Sequence, residues 1–471
     1  MWVTKFVLLF LANSASAFNI LGVITLPLRT HFKAFENLFF ELANRGHTVT
    51  ILKCFPSEKT TNIRYIDLDC QWRGSTTTLQ EFEEWHPLLL HLKNFNKHFT
   101  FGEILLKKQC ELLLTNPKVK SHLEEGNKYD VIFVEQFLSE CDLAYAGTHF
   151  DAPIIGLTSH VLLPWTYSQL GIPFDIASDT SYLAATSPKD SLLTKFETAV
   201  MHILIFVYVK PFRLDQGIYN VFEKHVPEIT FDINRIARDK MKMVFAYQHY
   251  SITGARLLAP QLLEAAGMHI TKAKPVPQDL EDFLSNAEHG VIYVSFGSNL
   301  RISGMSPRML DTFLAAFKQL PQKFLVKWEL DEVPVGHNNV LWRKWFPQLD
   351  VLCHPKVLAF ISHAGMLGTT ESAHCGKPIL AIPFFGDQLT NAAAVREVGL
   401  GKTLSYTSIT TENLVNTIKE LTSAEMQQSA QRVSRQWHDR PQPALDSAVF
   451  WTEYVARHAS ASAPPPLPSK Y

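Results

Sequence analysis

The sequence lacks a dominant charge: 44 lysines and arginines face 45 aspartates and glutamates, a formal net charge of −1. Nucleic-acid binding is therefore not expected, because it needs a basic face to displace the counterions of the phosphate backbone. No N-x-Ser/Thr sequon occurs, so N-glycosylation is excluded. The six cysteines (Cys54, Cys70, Cys110, Cys141, Cys353, Cys375) are scattered and form no CxxC pair, which removes support for a zinc or thioredoxin-like site. They read as buried or isolated thiols, with a disulfide or two left open if the compartment is oxidising. Long apolar runs are also missing. Neither Phe6–Ala12 nor Ala199–Val209 approaches the about 20 residues needed to cross a bilayer.

What is present is material for large cores. Hydrophobic residues make up 46% and charged residues 19% of 471, which excludes intrinsic disorder and implies more than one domain. Met1–Ala17 (MWVTKFVLLFLANSASA) combines one lysine, a short apolar run and Ala15-Ser16-Ala17. That is the pattern of a secretory signal peptide, so the expected mature chain begins at Phe18 in the secretory pathway, soluble in the lumen or secreted. Ala199–Val209 reads as a buried or interfacial helix, with reversible peripheral membrane contact as one use. The Ala/Ser/Pro-rich tail 459–471 can neither span a membrane nor pack a core.

Two stretches alternate strand and helix signals. In the first, an apolar strand at Ile20–Leu26 leads through a loop holding Thr30-His31 to a helix from about Phe32 to Asn44. His47–Leu52 returns as a strand, and more strands follow at Val131–Val134 and Pro153–Leu157. In the second, strands fit at Gly290–Phe296, Phe324–Trp328, Val357–Ser362 and Pro378–Pro383. Ser306-Pro307 is a cap followed by proline at the first helical position, and helices fit at Met366–His374, Gln388–Val398 and Glu412–Leu421. The expectation is α/β: Rossmann-like domains at 18–270 and 279–435, joined by a Pro/Lys-rich linker at 271–278, with a cleft between the carboxyl ends of their sheets.

One segment concentrates chemistry. WFPQ (Trp345–Gln348) is followed by HPK (His354–Lys356), FISHAGMLGTTE (Phe360–Glu371) and CGKPILAIPFFGDQ (Cys375–Gln388). His363 and the loop through Gly365 and Gly368 fall where a strand feeds a helix N-terminus, a place that gathers anions through backbone N–H groups and the helix dipole. Glycines there let a phosphate approach closely. Asp387-Gln388 follow another strand end and suit a polyhydroxylated ligand. Trp345 offers a flat face to a base, and Gln348 an amide to its edge.

These motifs, with SFGSN (Ser295–Asn299) and DRPQPALDSAVFWTEYVARH (Asp439–His458), resemble the UDP-glycosyltransferase family of animals, most closely its arthropod members. The resemblance covers nearly the whole mature chain. It implies a GT-B architecture: acceptor site in the first domain, UDP-sugar site in the second, and a C-terminal helix (436–458) crossing back. Carried over by position, Trp345 would stack on uracil and Gln348 contact the uridine. Ser298, His363 and the loop with Gly365 and Gly368 would hold the diphosphate. Glu371 would take the ribose hydroxyls, and Asp387 and Gln388 the sugar. No metal and no cofactor are implied, since the UDP-sugar is itself a substrate. The chain departs from the family in having Ala364-Gly365 where many relatives carry two glycines. Its tail also stands where animal members usually carry a membrane helix.

The family's catalytic histidine falls at His31, whose imidazole suits proton removal from an acceptor hydroxyl. Glu135 is the first choice for its carboxylate partner and Glu140 the second, with Asp142 nearby; His354 and His374 read as structural. The expected activity is inverting transfer of a hexose, glucose before glucuronate, to a small lipophilic acceptor such as a phenol or steroid-like alcohol. Val161–Tyr167 and Phe196–Phe212 are candidate acceptor-pocket walls, and Arg396 is a distant candidate for a sugar carboxylate. The alternatives are a non-catalytic binder of lipophilic ligand or UDP-sugar, and a UDP-sugar epimerase.

Overall fold

The computed structural model describes residues 17–55, 62–70, 77–83, 90–138, 140–175, 192–254, 258–336 and 338–460. Most of the leader and of the C-terminal tail lie outside them. The strands in chain order are β1 (Asn19–Ile24), β2 (Thr48–Lys53), β3 (Ile63–Asp67), β4 (Thr77–Thr78) and β5 (Val131–Glu135). β6 (Ile154–Thr158), β7 (Met241–Ala246) and β8 (Leu262–Glu264) complete the first half. The second half holds β9 (Val291–Ser295), β10 (Leu300–Arg301), β11 (Lys323–Lys327), β12 (Val340–Arg343), β13 (Val357–Ser362), β14 (Ile379–Ala381) and β15 (Gly401–Thr403).

Two parallel sheets result, in the orders β3-β2-β1-β5-β6-β7-β8 and β12-β11-β9-β13-β14-β15. Helices cover both faces, so β1 and β5 are almost wholly buried, and apart from Asn19 at the start of β1 and Glu135 at the end of β5 their residues are apolar or glycine. Each sheet reverses its strand order once, between β1 and β5 and between β9 and β13. Adjacent loops diverge at such switch points and leave a crevice at the strands' carboxyl ends. His31 follows β1, Glu135 ends β5, Ser298 follows β9 and His363 follows β13, so all four candidates stand at a crevice.

Several local expectations hold closely. Ser306 caps its helix by accepting from Met309 N, with Pro307 in the first turn. The helix Gln388–Val398 and strand Val357–Ser362 have the expected bounds. The first helix differs: it starts at Arg29, which puts His31 in its first turn rather than in a loop. Leu28 stands at the cap with no side-chain hydrogen bond, so no polar cap marks that start in the sequence.

The cysteine expectation is corrected. All six pair, as Cys54–Cys70, Cys110–Cys141 and Cys353–Cys375, with Cα separations of 5.0, 5.6 and 4.7 Å. Partners 16 to 31 residues apart are brought within bridging distance by the fold, which wide sequence spacing hides.

The two halves are tied together in three ways. β4 pairs with β10, and Phe82 enters the core of the second half against Phe384. The helix Ala424–His438 places Trp437 beside Gly267 and His249. The helix Ala444–His458 lies on the helix Arg29–Asn44, with Glu453 3.3 Å from His47.

Among the described residues no helix is long and apolar enough to cross a membrane. The Ala199–Val209 region lies in a helix, Leu192–Leu204, that continues in π-helical geometry over Ile205–Asp215. It is not wholly buried. From Phe196 to Phe212 the exposed residues are Phe196, Val200, Ile203, Leu204, Val207, Tyr208 and Phe212, all apolar or aromatic.

Candidate active site

His31 Nδ1 lies 2.6 Å from Glu135 Oε1, across the β1–β5 switch point. Glu135 is fully buried, and His31 keeps 16% of its side-chain surface exposed. Burial disfavours charge on both: it pushes the His31 imidazole down to about 4, against the opposing pull of Asp387, and the Glu135 carboxyl well up. A pair in which Nδ1–H donates to the carboxylate leaves Nε2 as a lone pair. Phe137 packs edge-on against the His31 ring at 4.7 Å and fixes its plane.

Glu140 does not join this pair. It forms a buried ion cluster with Lys210 Nζ (2.5 Å) and takes a hydrogen bond from Gln169 (2.6 Å), while Asp215 holds the same ammonium. Glu135 ends β5, which runs parallel beside β1, and so stands next to the start of the helix that carries His31, whereas Glu140 stands at the start of the helix Cys141–His149 and meets Lys210 of the π-helical segment. Asp142 is likewise occupied, by Thr25 and Gln109.

On the opposite wall, His363 leaves β13 and the helix Met366–Cys375 begins after Gly365. Burial pushes the His363 imidazole down to about 4, with Lys327 adding to the effect. Its Nδ1 is buried and has no hydrogen-bond partner among the described residues. The glycines have a reason that the sequence did not show. A Cβ at Gly365 would stand 2.5 Å from His363 Nε2, and one at Gly297, where φ is +77°, 2.8 Å from its Cε1. They make room for the imidazole. Gly368 faces the Phe360 ring and permits close helix–strand packing.

Ala364 adopts φ +62°, in the left-handed region that costs a non-glycine residue about 1–2 kcal/mol. The departure from two glycines is therefore tolerated with strain. The turn is held by Asn391 Nδ2 donating to Ala364 O at 3.0 Å.

Glu371 and Gln348 prove to be partners: Gln348 Nε2 donates to Glu371 Oε2 at 2.6 Å, and Tyr293 OH donates to Gln348 Oε1 at 3.3 Å. Gln348 is thus engaged rather than free for a base edge. Gln388 is engaged too, its Oε1 accepting from Phe384 N and Phe385 N, which leaves only its amino group as a donor. Asp387 accepts from Asn391 Nδ2 at 2.8 Å, and burial pushes its carboxyl up, partly offset by His31.

A cavity of about 340 Å³ joins these groups. His31, Ser298, Gln348, His363, Gly365, Gly368, Glu371, Asp387 and Gln388 all line it, with Phe101, Phe137 and Met366 as its apolar side. Other expectations are corrected. Trp345 is outside the lining, with 69% of its surface exposed. Val161–Tyr167 packs into the core of the first half, and Phe196–Phe212 points partly outward, so neither lines the cavity. Arg396 is exposed and also outside it. His354 pairs with Glu281 and His374 packs on His438, which agrees with structural roles.

Asn391, Lys327, His98 and His160 are among the residues that were missed. Asn391 joins Asp387 to the Ala364 turn, and its spacing four residues after Asp387 on one helix was a legible signal. Lys327 Nζ, 2.6 Å from Gly297 O, brings positive charge to the His363 loop. His98 and His160 line the cavity from the first half, both pushed by burial to about 3 and therefore neutral. Nothing in their sequence spacing pointed to the cavity.

Comparison with known proteins agrees with this geometry. The family model described as UDP-glucoronosyl and UDP-glucosyl transferase matches residues 29–464. The chain is 33% identical to UDP-glycosyltransferase UGT5 of Dactylopius coccus, over 95% of this chain and 85% of that protein. It is 27% identical to UDP-glucuronosyltransferase 2B13 of Oryctolagus cuniculus, over 93% and 85%. Among solved structures, a UDP-glucosyltransferase from Polygonum tinctorium capable of glucosylating indoxyl superposes with a TM-score of 0.61 at 15% identity, covering 94% of this chain and all of that one. LpCGTa, solved in complex with UDP, gives 0.56 at 17% identity, over 94% of this chain and all of that one. These similarities establish two facing Rossmann-like domains of the GT-B type.

Proposed function

Because the chain belongs to the UDP-glucuronosyl and UDP-glucosyl transferase family, and so transfers sugar from a UDP-sugar, we propose that the sugar is glucose, the acceptor a small lipophilic alcohol or phenol, and His31 the base. The observation that carries this reading is the placement of His31 with Glu135 and of Asp387 on facing walls of one cavity. His31 Nε2 takes the proton of the acceptor hydroxyl as its oxygen forms the bond to C1 of the sugar. The C1–O bond to UDP breaks on the opposite face, so configuration inverts. Glu135 and Asp387 offset the charge that forms on the imidazolium. Charge developing on the departing diphosphate meets the N-terminus of the helix Met366–Cys375, the Nδ1 side of His363 and the nearby Lys327. Glu371 takes the ribose, and Asp387 and the amino group of Gln388 take the hexose. Phe101, Phe137 and Met366 favour an apolar acceptor body.

Glucose is placed before glucuronate because no arginine that would pair with a sugar carboxylate appears in the described lining. With a panel of phenols, turnover with UDP-glucose should exceed that with UDP-glucuronate by about tenfold or more. The reverse order would overturn the donor assignment, and no turnover with any UDP-sugar would favour the non-catalytic binder.

We also propose residence in the oxidising lumen of the secretory pathway, supported by the three disulfides, and contact with a lipid surface. The outward face from Phe196 to Phe212 carries apolar and aromatic residues without an exposed charge, the pattern of a helix lying in a membrane interface. Protein lacking residues 1–17 should float with phosphatidylcholine/phosphatidylserine vesicles, and Phe196→Glu with Phe212→Glu should abolish this while leaving turnover unchanged. Absence of flotation in the unsubstituted protein would refute the contact.

A further inference from the structure

His269 lies beyond β8, in the stretch that leaves the first half of the molecule, yet its side chain ends in the second. Its Nε2 is 3.1 Å from Glu371 Oε1. Its Nδ1 faces the Tyr247 hydroxyl, which in turn stands 3.3 Å from Thr370 Oγ1. His269, Glu371 and Tyr247 are all buried, and His269 and Glu371 line the cavity.

The direction of each hydrogen bond follows from chemistry. The carboxylate can only accept, so His269 Nε2–H donates to Glu371 Oε1, and Nδ1 is then the lone pair that accepts from Tyr247 O–H. Burial pushes the Tyr247 phenol well up, which keeps it protonated and able to donate. Glu371 Oε2 is held from its other side by Gln348 Nε2 at 2.6 Å. Each carboxylate oxygen thus accepts one bond from the protein and keeps capacity for another. A side chain gripped on both oxygens has its plane set before ligand arrives, and its two remaining acceptor positions match a vicinal diol.

We propose that His269 is a positioning residue for the nucleotide: it orients Glu371 to accept both hydroxyls of the ribose. The inference rests on the reading of Glu371 as the ribose group. Because His269 comes from the first half and Glu371 and Gln348 from the second, this bond also makes the nucleotide site depend on the two halves being in place together.

Equilibrium binding of UDP and 2′-deoxy-UDP, measured by calorimetry, tests both statements separately. The unsubstituted protein should prefer UDP by about ten- to hundredfold, the range of a hydrogen bond to a charged group. Glu371→Gln should reduce that preference to near unity. His269→Ala should reduce it to under about threefold, and His269→Gln, which keeps a donor near the Nε2 position, should restore most of it. If Glu371→Gln keeps the preference, the ribose reading of Glu371 falls. If Glu371→Gln loses it but His269→Ala keeps it, even with both affinities lowered equally, His269 is only structural and the proposal is overturned. Should His269→Ala fail to fold, Tyr247→Phe carries the test with every ring in place. A reduced preference supports the relay, and an unchanged one overturns it.

Discussion

His31→Ala should lower glycosyl transfer by about a hundred- to ten-thousandfold, the usual worth of a positioned general base, while UDP affinity changes less than about twofold. The separation is expected because His31 belongs to the first sheet, whereas the groups assigned to UDP hang from the second. Turnover and UDP titration on one preparation provide the check, and unchanged turnover would remove His31 from the mechanism. The pH profile adds a second signature. A base must be neutral, and burial holds the His31 imidazole at about 4. Activity should therefore persist well below pH 6.5 and fall only as pH drops through about 4. Glu135→Gln should reduce turnover at least about tenfold, equivalent to about 1.4 kcal/mol on the barrier. Glu140→Gln should act differently. It leaves Lys210 with Asp215 alone, so the cost falls on stability, below the about 3–5 kcal/mol of a wholly unpaired buried charge, and turnover per folded molecule is retained.

Asp387→Ala should lower kcat/KM for UDP-glucose by about a hundredfold and leave UDP affinity nearly unchanged. The carboxylate is assigned to sugar hydroxyls, and hydrogen bonds to a charged group are worth about 1.5–3 kcal/mol each. It also faces His31 across the cavity, so its loss withdraws part of the stabilisation of the imidazolium. Removing it frees Asn391, which holds the Ala364 turn, and Asp387→Asn is the control because its amide can still bond to Asn391. Both variants should lose sugar-dependent turnover. UDP inhibition constants should stay within about twofold in Asp387→Asn. An equal loss of UDP and UDP-glucose affinity in that variant would place the hexose elsewhere.

The donor half of the site was more legible than the acceptor half. His363, Gly365, Gly368, Glu371, Asp387 and Gln388 fall within a span of 26 residues, and each follows a strand end that an apolar run marks plainly. What the residues do to one another was less visible. Gln348 looked like a group for a base edge and instead donates to Glu371; Gln388 looked free and is half used by its own loop. Trp345 was read as a flat face for uracil; it stands exposed at the surface, and its neighbour Phe346 is the one buried.

Local patterns sufficed for whatever depends on neighbours along the chain. The burial of β1 and β9, the Ser306 cap, the helix from Gln388 and the glycine-containing turn after β13 follow from short-range periodicity, capping and backbone freedom, and the sequence by itself determined them. Tertiary structure decided the choices between chemically equal candidates. Glu135 and Glu140 carry the same carboxylate five positions apart, and only their places in the fold, one ending β5 beside β1 and the other at the start of the next helix, make one the partner of His31 and send the other to Lys210. The three disulfides and the His269–Glu371 bond join residues 16 to 102 positions apart. Such contacts leave no period in the sequence, because their geometry is set by how whole sheets and helices pack, not by the spacing of the residues that meet.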